Sequence, residues 1–364
     1  METRTIRCLG VESPGQMYFW EYEEGPPNEG QFRVQTLFTG FSAGTELTFF
    51  KGNNPFFGAQ YDEEYGVFTP GEASTHYPVP FQGYMEVGRV IESRAHGVAE
   101  GATVAMTYGH KSGHIAEARG ELFIVMPDDI DPILGIYLGQ MGPVCANGLL
   151  HAAADTMGAA ASSLSDGVAG RNVLVTGGVV ALLTGLFARH YGAAEVAVAC
   201  PTPERLAAAR ALGLLAIDDS QVEPWRFCKE RWNNGPRDHG ADVAFQCRSG
   251  ETALPDAMRA LRPEATVIDM AFYEGGQPNL RLGEEFHHNN LSIRCAQVTH
   301  QPRALQGTWN RRRLAQETIE LLRAYGPLIR KHMLTDVVPF EQAPQLIADL
   351  AARKRHVIQA VFEI

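Results

Sequence analysis

The chain has 364 residues, of which 45% are hydrophobic and 20% charged, the composition of an ordinary folded globular protein. Its length exceeds what one hydrophobic core usually organises and predicts two domains. The net charge of −11 argues against nucleic acid or an anionic membrane as a partner, because binding to phosphate depends on clustered Lys and Arg.

The first residues, METRTIRCLGVESPG, lack the apolar stretch of a signal peptide, and no apolar run approaches the roughly 20 residues of a membrane span. We therefore expect a cytoplasmic protein with no membrane partner. The six cysteines are scattered without a CxxC pair, which suits neither a disulfide framework nor a closed zinc site.

Residues 1–148 are rich in Gly, Pro and aromatic residues and contain short strand-like runs separated by turn signals. These runs are QFRVQTLFTG, GYMEVGRVIES and ATVAMTY. The pattern predicts an irregular domain resembling a β-barrel.

From residue 149 compact apolar strands alternate with helical segments, which predicts a doubly wound parallel sheet. The strands are NVLVTGG, EVAVAC, LLAID, DVAFQC, ATVIDMAF and LSIRCAQ; the helices are LLTGLFARHYGA, PERLAAARALG and GETALPDAMRALRP. We expect this α/β domain to span residues 149–297.

The remaining segment contains two helices, RRLAQETIELLRAYG and EQAPQLIADLAARK, and a final strand, HVIQAVFEI. This segment is too long to be a minor addition to a six-stranded sheet. We predict that residues 298–364 return to the first domain.

The order of these domains resembles the medium-chain dehydrogenase/reductase superfamily along essentially the whole chain. The segment EGATVAMTYGHKSGHIAEARGELFIVMPDDI is similar to that family's barrel, and RNVLVTGGVVALLTGLFARHYGAAEVAVACPTPERLAAARALG to its first βαβ unit. The resemblance implies a GroES-like catalytic domain, a Rossmann dinucleotide-binding domain and a homodimer formed through the edge strand LSIRCAQ.

Three shorter strings resemble a subgroup related to bacteriochlorophyllide a dehydrogenase, and that subgroup is functionally mixed. They are GFSAGTE at 40–46, FHHNNLSIRCAQV at 286–298 and TWNRRR at 308–313. The likeness implies a reaction class but no particular substrate.

The family's glycine turn, which holds the cofactor pyrophosphate at a helix N-terminus, corresponds here to a turn one residue shorter than usual. Its candidate cofactor contacts are Gly177, Gly178, Val179 and Val180. Two interpretations stay open: the short turn still holds a dinucleotide, or the domain has lost its cofactor.

The second strand ends at Cys200, where NAD enzymes usually carry a carboxylate that binds the ribose. No carboxylate stands there to repel a 2′-phosphate, which favours NADP(H) over NAD(H). Thr202 and Arg205 are candidate phosphate partners, although Arg205 suits an exposed helix position equally well, and Cys247 is a further candidate cofactor contact.

The family's catalytic zinc needs three protein ligands, and the resemblance places Ser42 and Tyr84 where two of them would stand. Cys145 alone remains near the third position. One soft ligand cannot hold the ion, so we expect no catalytic zinc.

Without a metal, hydrogen-bond donors must polarise the substrate, and a side chain or water must supply the proton. The candidates are Tyr84, Ser42, Thr45, Glu46, His110 and Asn147, with His114 as a second candidate proton carrier.

Structural roles compete with catalytic ones at most of these positions. Tyr84 also suits a space-filling role, Thr45 and Glu46 suit helix capping, His114 suits packing, and Cys145 suits a buried thiol. Trp309 with Arg311–Arg313 suits either a clamp for an anionic substrate or a domain or subunit contact.

The leading hypothesis is zinc-independent hydride transfer between NAD(P)(H) and a ketone, secondary alcohol or activated double bond of a small metabolite. Two alternatives remain open. One is a redox-neutral elimination, cyclisation or isomerisation on the same fold, and the other is a non-catalytic sensor that binds a dinucleotide.

Overall fold

The computed structural model describes residues 3–71 and 73–364, and the chain divides into two compact units. Unit 1 comprises Met1–Gln140 and Leu334–Ile364, and unit 2 comprises Met141–Met333. No helix in the described part of the chain has the length and apolarity needed to cross a membrane.

Unit 1 begins with an antiparallel hairpin of two long strands. It continues with the strands of a mixed sheet, one helix, and a second, short antiparallel hairpin formed by its fourth and fifth strands. In chain order these elements are β1 (Arg4–Ser13), β2 (Gln16–Glu24), β3 (Gln31–Phe41), α1 (Ala43–Lys51), β4 (Ala59–Asp62), β5 (Val67–Pro70), β6 (Glu86–Ser93), β7 (Thr103–Met106), β8 (Gly113–Glu117) and β9 (Ile124–Val125).

Unit 2 alternates strands and helices after one long initial helix. In chain order they are α2 (Met141–Met157), β10 (Asn172–Thr176), α3 (Val179–His190), β11 (Glu195–Cys200), α4 (Pro203–Ala211), β12 (Leu215–Asp218), α5 (Pro224–Arg231), β13 (Ala241–Gln246), α6 (Ala253–Ala260), β14 (Leu261–Asp269), β15 (Ser292–Cys295) and α7 (Arg311–His332).

The chain then returns to unit 1 with β16 (Leu334–Pro339), α8 (Ala343–Ala351) and β17 (Gln359–Glu363). The main sheet of unit 1 has the order β16-β17-β3-β6-β7-β9, and β8 also pairs with β3. Strand β17 pairs antiparallel with β3, with Ala360 opposite Phe41. The final strand therefore lies inside the main sheet of unit 1, between β16 and β3.

The sheet of unit 2 is parallel throughout, with the order β12-β11-β10-β13-β14-β15. Its central strands are fully buried, as expected when helices cover both faces, and this explains their near-continuous apolar runs. The predicted doubly wound sheet is confirmed, and β15 forms one edge as the sequence indicated.

The boundaries of the two units differ from the predicted domains at 141–148 and at 298–333, since both segments lie in unit 2. Helix α7 packs against α2 and α3 through a buried face that includes Leu314, Ile319 and Leu322. Only the residues from Leu334 onward return to unit 1, so the predicted return begins too early.

Helix α7 also continues beyond Gly326, where the sequence predicted its end, and contains Pro327 in its interior. Proline there removes one backbone donor, but Ile329 and Met333 are buried on the far side of it. Burial of these two side chains offsets the free-energy cost of the missing backbone hydrogen bond.

Candidate active site and cofactor site

Three predicted residues, Tyr84, Ser42 and Thr45, come together in unit 1. Ser42 is the N-cap residue of α1, and Tyr84 lies just before β6. The phenol oxygen of Tyr84 hydrogen-bonds Ser42 Oγ and lies 3.4 Å from Thr45 Oγ1. The arrangement is a half-buried cluster of three hydroxyl groups.

Glu46 holds this cluster in place through a hydrogen bond to Ser42. Its side chain is 2% exposed, and its Oε1 accepts a 2.7 Å hydrogen bond from the backbone N–H of Ser42. A carboxylate in the first turn of α1 is also favoured by the positive end of the helix dipole. Glu46 therefore combines the predicted capping role with a position next to the hydroxyl cluster.

His110 lies behind Glu46, and both of its ring nitrogens have partners. Nε2 is 2.7 Å from Glu46 Oε2, and Nδ1 is 2.6 Å from Thr39 Oγ1. Burial alone would lower the pKa of His110, but the carboxylates of Glu46 and Glu86 raise it above its usual value. The structure thus places His110 in a buried network that holds Glu46, with no hydrogen bond to Tyr84.

The network ends at Glu86, a residue that the sequence analysis did not select. Its Oε1 accepts hydrogen bonds from Thr39 Oγ1 at 3.0 Å and from the backbone N–H of Met85 at 3.1 Å, while Oε2 is buried without a partner. Burial raises the pKa of Glu86 to about 7. A charged residue in the apolar strand run GYMEVGRV was the available signal.

Gly83 allows these groups to approach each other. Its φ of +94° lies in the left-handed region, and a Cβ there would lie 2.8 Å from His110 Cε1 and 2.9 Å from Glu86 Oε1. Any larger residue would displace the network.

Tyr84 keeps its proton throughout the neutral range. Burial raises its pKa to about 12, and the negative charge of Glu46 adds to the shift. The phenol is therefore suited to donate a hydrogen bond to a substrate oxygen and unsuited to act as a base at neutral pH.

Unit 2 contains a turn suited to a pyrophosphate. Gly177 has a φ of +134°, and a Cβ there would lie 3.1 Å from the carbonyl carbon of Cys247. Helix α3 begins at Val179 with no side-chain cap at its N-terminus, so the backbone N–H groups of Val179 and Val180 are available to an anion. The short glycine turn therefore fits a dinucleotide phosphate.

Cys200 ends β11 as predicted, and two guanidinium groups lie near it. The Cζ of Arg205 is 3.4 Å from where a Cβ on Gly178 would lie, which places Arg205 against the glycine turn. Burial lowers the pKa of Arg205. Thr202 is the N-cap residue of α4 and makes no side-chain cap hydrogen bond.

The second of these cations is Arg248, and it has a carboxylate beside it; neither residue was predicted from the sequence. Arg248 Nη1 lies 2.6 Å from Asp219 Oδ2, and Asp219 follows β12 directly. Both residues come just after strand ends, the position where parallel sheets present ligand-binding groups, and that was the available signal.

Cys145 and Cys247 are packed close to the glycine turn. Cys145 Sγ lies 3.6 Å from the carbonyl oxygen of Val180, and burial raises the pKa of Cys145 to about 12. Burial also raises the pKa of Cys247. The thiols are suited to packing, in line with the structural role considered for Cys145.

Asn147 lies on α2 in unit 2, and not in the catalytic domain as predicted. Its Nδ2 donates hydrogen bonds to the carbonyl oxygens of Gln297 and His300, at 3.1 and 3.3 Å, and His151 Nε2 lies 3.0 Å from the same His300 oxygen. The Asn147 amide thus holds the loop that follows β15.

The remaining sequence candidates make local contacts. His114 hydrogen-bonds Glu121 at 2.7 Å and stacks on Tyr108, as expected of a packing histidine. Arg313 stacks over the buried ring of Trp309 at 3.6 Å and donates hydrogen bonds to the carbonyl oxygens of Thr308 and Ser162. The contacts of His114 lie within unit 1, and those of Arg313 lie within unit 2.

Comparison with known proteins gives one family-model match, to the zinc-binding dehydrogenase family over residues 179–322. Among characterised proteins, the chain is 25% identical to D-guloside 3-dehydrogenase of Escherichia coli K12, with 93% of this chain and 94% of that protein covered. The matching protein of Shigella flexneri is 24% identical over similar shares.

Solved structures show the same architecture. An alcohol dehydrogenase from Thermotoga maritima has a TM-score of 0.75 at 15% identity, with 99% of both chains covered. A protein of the zinc-binding dehydrogenase type from Sinorhizobium meliloti, bound to NADP, has a TM-score of 0.74 at 17% identity, with 99% of this chain and all of that chain covered. The fold is thus the GroES-like and Rossmann combination. Together with the family-model match over residues 179–322 and the near full-length similarity to characterised dehydrogenases, this supports an oxidoreductase of the medium-chain dehydrogenase/reductase type.

Proposed function

We propose that the chain catalyses hydride transfer between NADP(H) and a secondary alcohol or the corresponding ketone, with Tyr84 in place of a zinc ion as the electrophilic group. The observation that carries this proposal is the hydrogen-bonded pair of Tyr84 and Ser42 at positions where the family resemblance places metal ligands. The fold and the relatives support the coarser statement, NAD(P)-linked oxidoreduction of alcohol-type substrates.

Hydroxyl groups rotate, so either member of the Tyr84–Ser42 pair can donate to the other. When Ser42 donates to the phenol oxygen, the O–H of Tyr84 is available to a substrate oxygen. Hydride addition to a carbonyl carbon develops negative charge on that oxygen, and the phenol stabilises this charge and supplies the proton. Glu46 keeps Ser42 in place during this step through its 2.7 Å hydrogen bond.

The donor groups near Tyr84 do not fit a zinc ion. Ser42 and Tyr84 offer neutral hydroxyl groups, whereas zinc prefers thiolate, imidazole and carboxylate ligands. Glu46 and His110 are hydrogen-bonded to each other, which occupies the atoms that would otherwise bind zinc. Within the described part of the chain, no three His, Cys, Asp or Glu side chains are grouped closely enough to hold a metal ion.

We predict that purified protein carries much less than one zinc ion per chain, because the hydroxyl groups at these positions bind zinc weakly. Elemental analysis after dialysis checks this, with activity measured before and after treatment with a chelator. A stoichiometric zinc whose removal abolishes activity would contradict the prediction.

The substrate class is proposed from the relatives. D-Guloside 3-dehydrogenase, by its name, oxidises a ring hydroxyl of a glycoside, and a secondary alcohol of that kind suits a site built from hydroxyl donors. We propose a polyhydroxylated small molecule as substrate.

The test of function begins with titration of the purified protein with NADPH and NADH, followed by nicotinamide fluorescence. The second measurement is turnover with a panel of glycosides and the corresponding ketones. Failure to bind either nucleotide would contradict the proposal. Turnover without stoichiometric oxidation of NADPH would favour the redox-neutral alternative instead.

NADP(H) preference rests on Arg205 beside the glycine turn and on Cys200 in place of a carboxylate. We predict that Arg205→Ala weakens NADPH binding by about 10- to 100-fold, the usual contribution of a charge-assisted hydrogen bond, and changes NADH binding far less. Titration of both nucleotides checks this. Arg210→Ala, which alters the exposed end of the same helix, is the matched control. Equal weakening of both nucleotides would place Arg205 away from the 2′-phosphate.

We further propose a cytoplasmic homodimer in which two β15 strands pair edge to edge. Strand β15 is an edge of the sheet of unit 2, and its backbone is open to such pairing. Light scattering should give twice the mass of the chain, and Ile293→Pro should produce monomers because proline cannot donate to a strand ladder. A wild-type monomer at micromolar concentration would contradict the proposal.

A further inference from the structure

A polar network crosses the carboxyl ends of three strands in unit 2, and none of its members belongs to the sites described above. Thr176 at the end of β10 hydrogen-bonds the side-chain oxygen of Gln246 at the end of β13. Gln246 Nε2 donates to the hydroxyl of Tyr273 at 3.3 Å, and this hydroxyl donates to Asp269 Oδ2 at 2.9 Å. Asp269 ends β14.

The strand order locates this network relative to a bound dinucleotide. Strands β12, β11 and β10 form one mononucleotide half of the sheet, and β13, β14 and β15 form the other. A dinucleotide bound to such a sheet would lie across the carboxyl edge, and the turn after β10 would hold its pyrophosphate. Since Cys200 and Arg205 belong to the adenosine half, Asp269 and Tyr273 belong to the nicotinamide half.

Asp269 carries its charge in an unusual setting. Oδ1 accepts a 3.1 Å hydrogen bond from the backbone N–H of Ala271, and Oδ2 accepts the bond from Tyr273. Burial raises the pKa of Asp269, and these two hydrogen bonds oppose that shift because they stabilise the ionised carboxylate. Asp269 makes no ion pair with any described residue, in contrast to Asp219, which is paired with Arg248. A half-buried carboxylate is thus left without a cationic partner in the protein.

The nicotinamide ring supplies a cation in only one of its two redox states. Loss of a hydride converts the neutral dihydropyridine into a positively charged pyridinium, so a nearby carboxylate interacts with the oxidised form more strongly than with the reduced form. We propose that Asp269, held by Tyr273 and by the N–H of Ala271, forms a charge-selective nicotinamide subsite that stabilises the oxidised cofactor. This inference rests on the proposed function, since it requires that the protein bind the dinucleotide.

Such a subsite shifts the equilibrium between the oxidised and the reduced cofactor when the cofactor is bound to the protein. With the dinucleotide bound, Asp269 would stabilise the oxidised form more than the reduced form and so would favour the direction of reaction that consumes NADPH. Asp269 therefore acts on the direction of the bound reaction without touching the substrate oxygen.

The experiment measures the dissociation constants of NADP⁺ and NADPH by calorimetry for the wild type, Asp269→Asn and Asp269→Ser. The ratio of the two constants cancels changes that affect both forms equally. We expect the ratio of NADP⁺ to NADPH constants to rise about tenfold in the variants, equivalent to about 1.4 kcal/mol. Glu251→Gln, which removes an exposed carboxylate from the loop after β13, should leave the ratio unchanged. Tyr273→Phe keeps the charge and should change the ratio by less than about threefold.

An unchanged ratio in whichever Asp269 variant remains folded, with normal binding by the wild type, would overturn the inference and leave the proposed function standing. Wild-type protein that binds neither NADP⁺ nor NADPH would overturn both.

Discussion

Tyr84→Phe should lower turnover by about 10²- to 10³-fold, the usual effect of removing one donor that stabilises developing charge. The change deletes the hydroxyl that bonds Ser42 and keeps the ring, so packing is nearly preserved. Steady-state kinetics with NADPH and the identified substrate check this. Since the hydroxyl acts on the transition state, kcat should fall much more than KM rises.

Tyr108→Phe is the matched control for this experiment. Tyr108 belongs to the same unit, and its buried hydroxyl forms a 2.7 Å hydrogen bond with Thr36. Its loss should cost about 1 kcal/mol of folding stability and leave turnover within a few-fold of the wild type. A Tyr84→Phe variant that is folded and fully active would remove Tyr84 from the mechanism and direct attention to Ser42 and Thr45.

Glu86 should make the free energy of unfolding fall by about 3 kcal/mol as the pH rises from 4.5 to about 7. In this range the folded protein retains a proton on Glu86 that the unfolded chain releases. Stability is therefore greatest below the unfolded pKa and is lost as the pH rises through the folded one. His110 has a raised pKa as well and contributes with the same sign.

Glu86→Gln isolates this effect, because the amide oxygen can still accept hydrogen bonds from Thr39 and Met85 while the side chain no longer titrates. Denaturant unfolding at a series of pH values should show that the stability of the wild type relative to the variant declines across this range. Parallel curves for the two proteins would show that Glu86 has an ordinary pKa in the folded state.

The strands of unit 2 could be predicted from the sequence because each is a compact apolar run. NVLVT and EVAVAC are buried on both faces, and the glycine turn and the helix after it follow at fixed positions. Periodicity and turn residues are local properties, and they determine these elements almost alone.

The clusters of side chains could not be predicted in the same way. Thr39, Glu86 and His110 belong to segments far apart in sequence. The pairing of β3 with β6 and the backbone hydrogen bond from His110 to Gln82 bring them together. Ser42, Thr45 and Tyr84 were predicted as a group because the family resemblance supplied their spatial relation. Asp269 and Tyr273 had no counterpart in that resemblance and emerged only from the structure.

The position of β17 affects how the protein is made. Residues 360–363 of strand β17 pair with Phe38–Phe41 of β3, although β17 follows all of unit 2 in the chain. During synthesis unit 2 can fold as soon as it leaves the ribosome, while β3 waits with one side unpaired until the last residues emerge. An unpaired strand edge is a site for aggregation, so release of a chain truncated before Gln359 should give a folded unit 2 attached to an aggregation-prone unit 1.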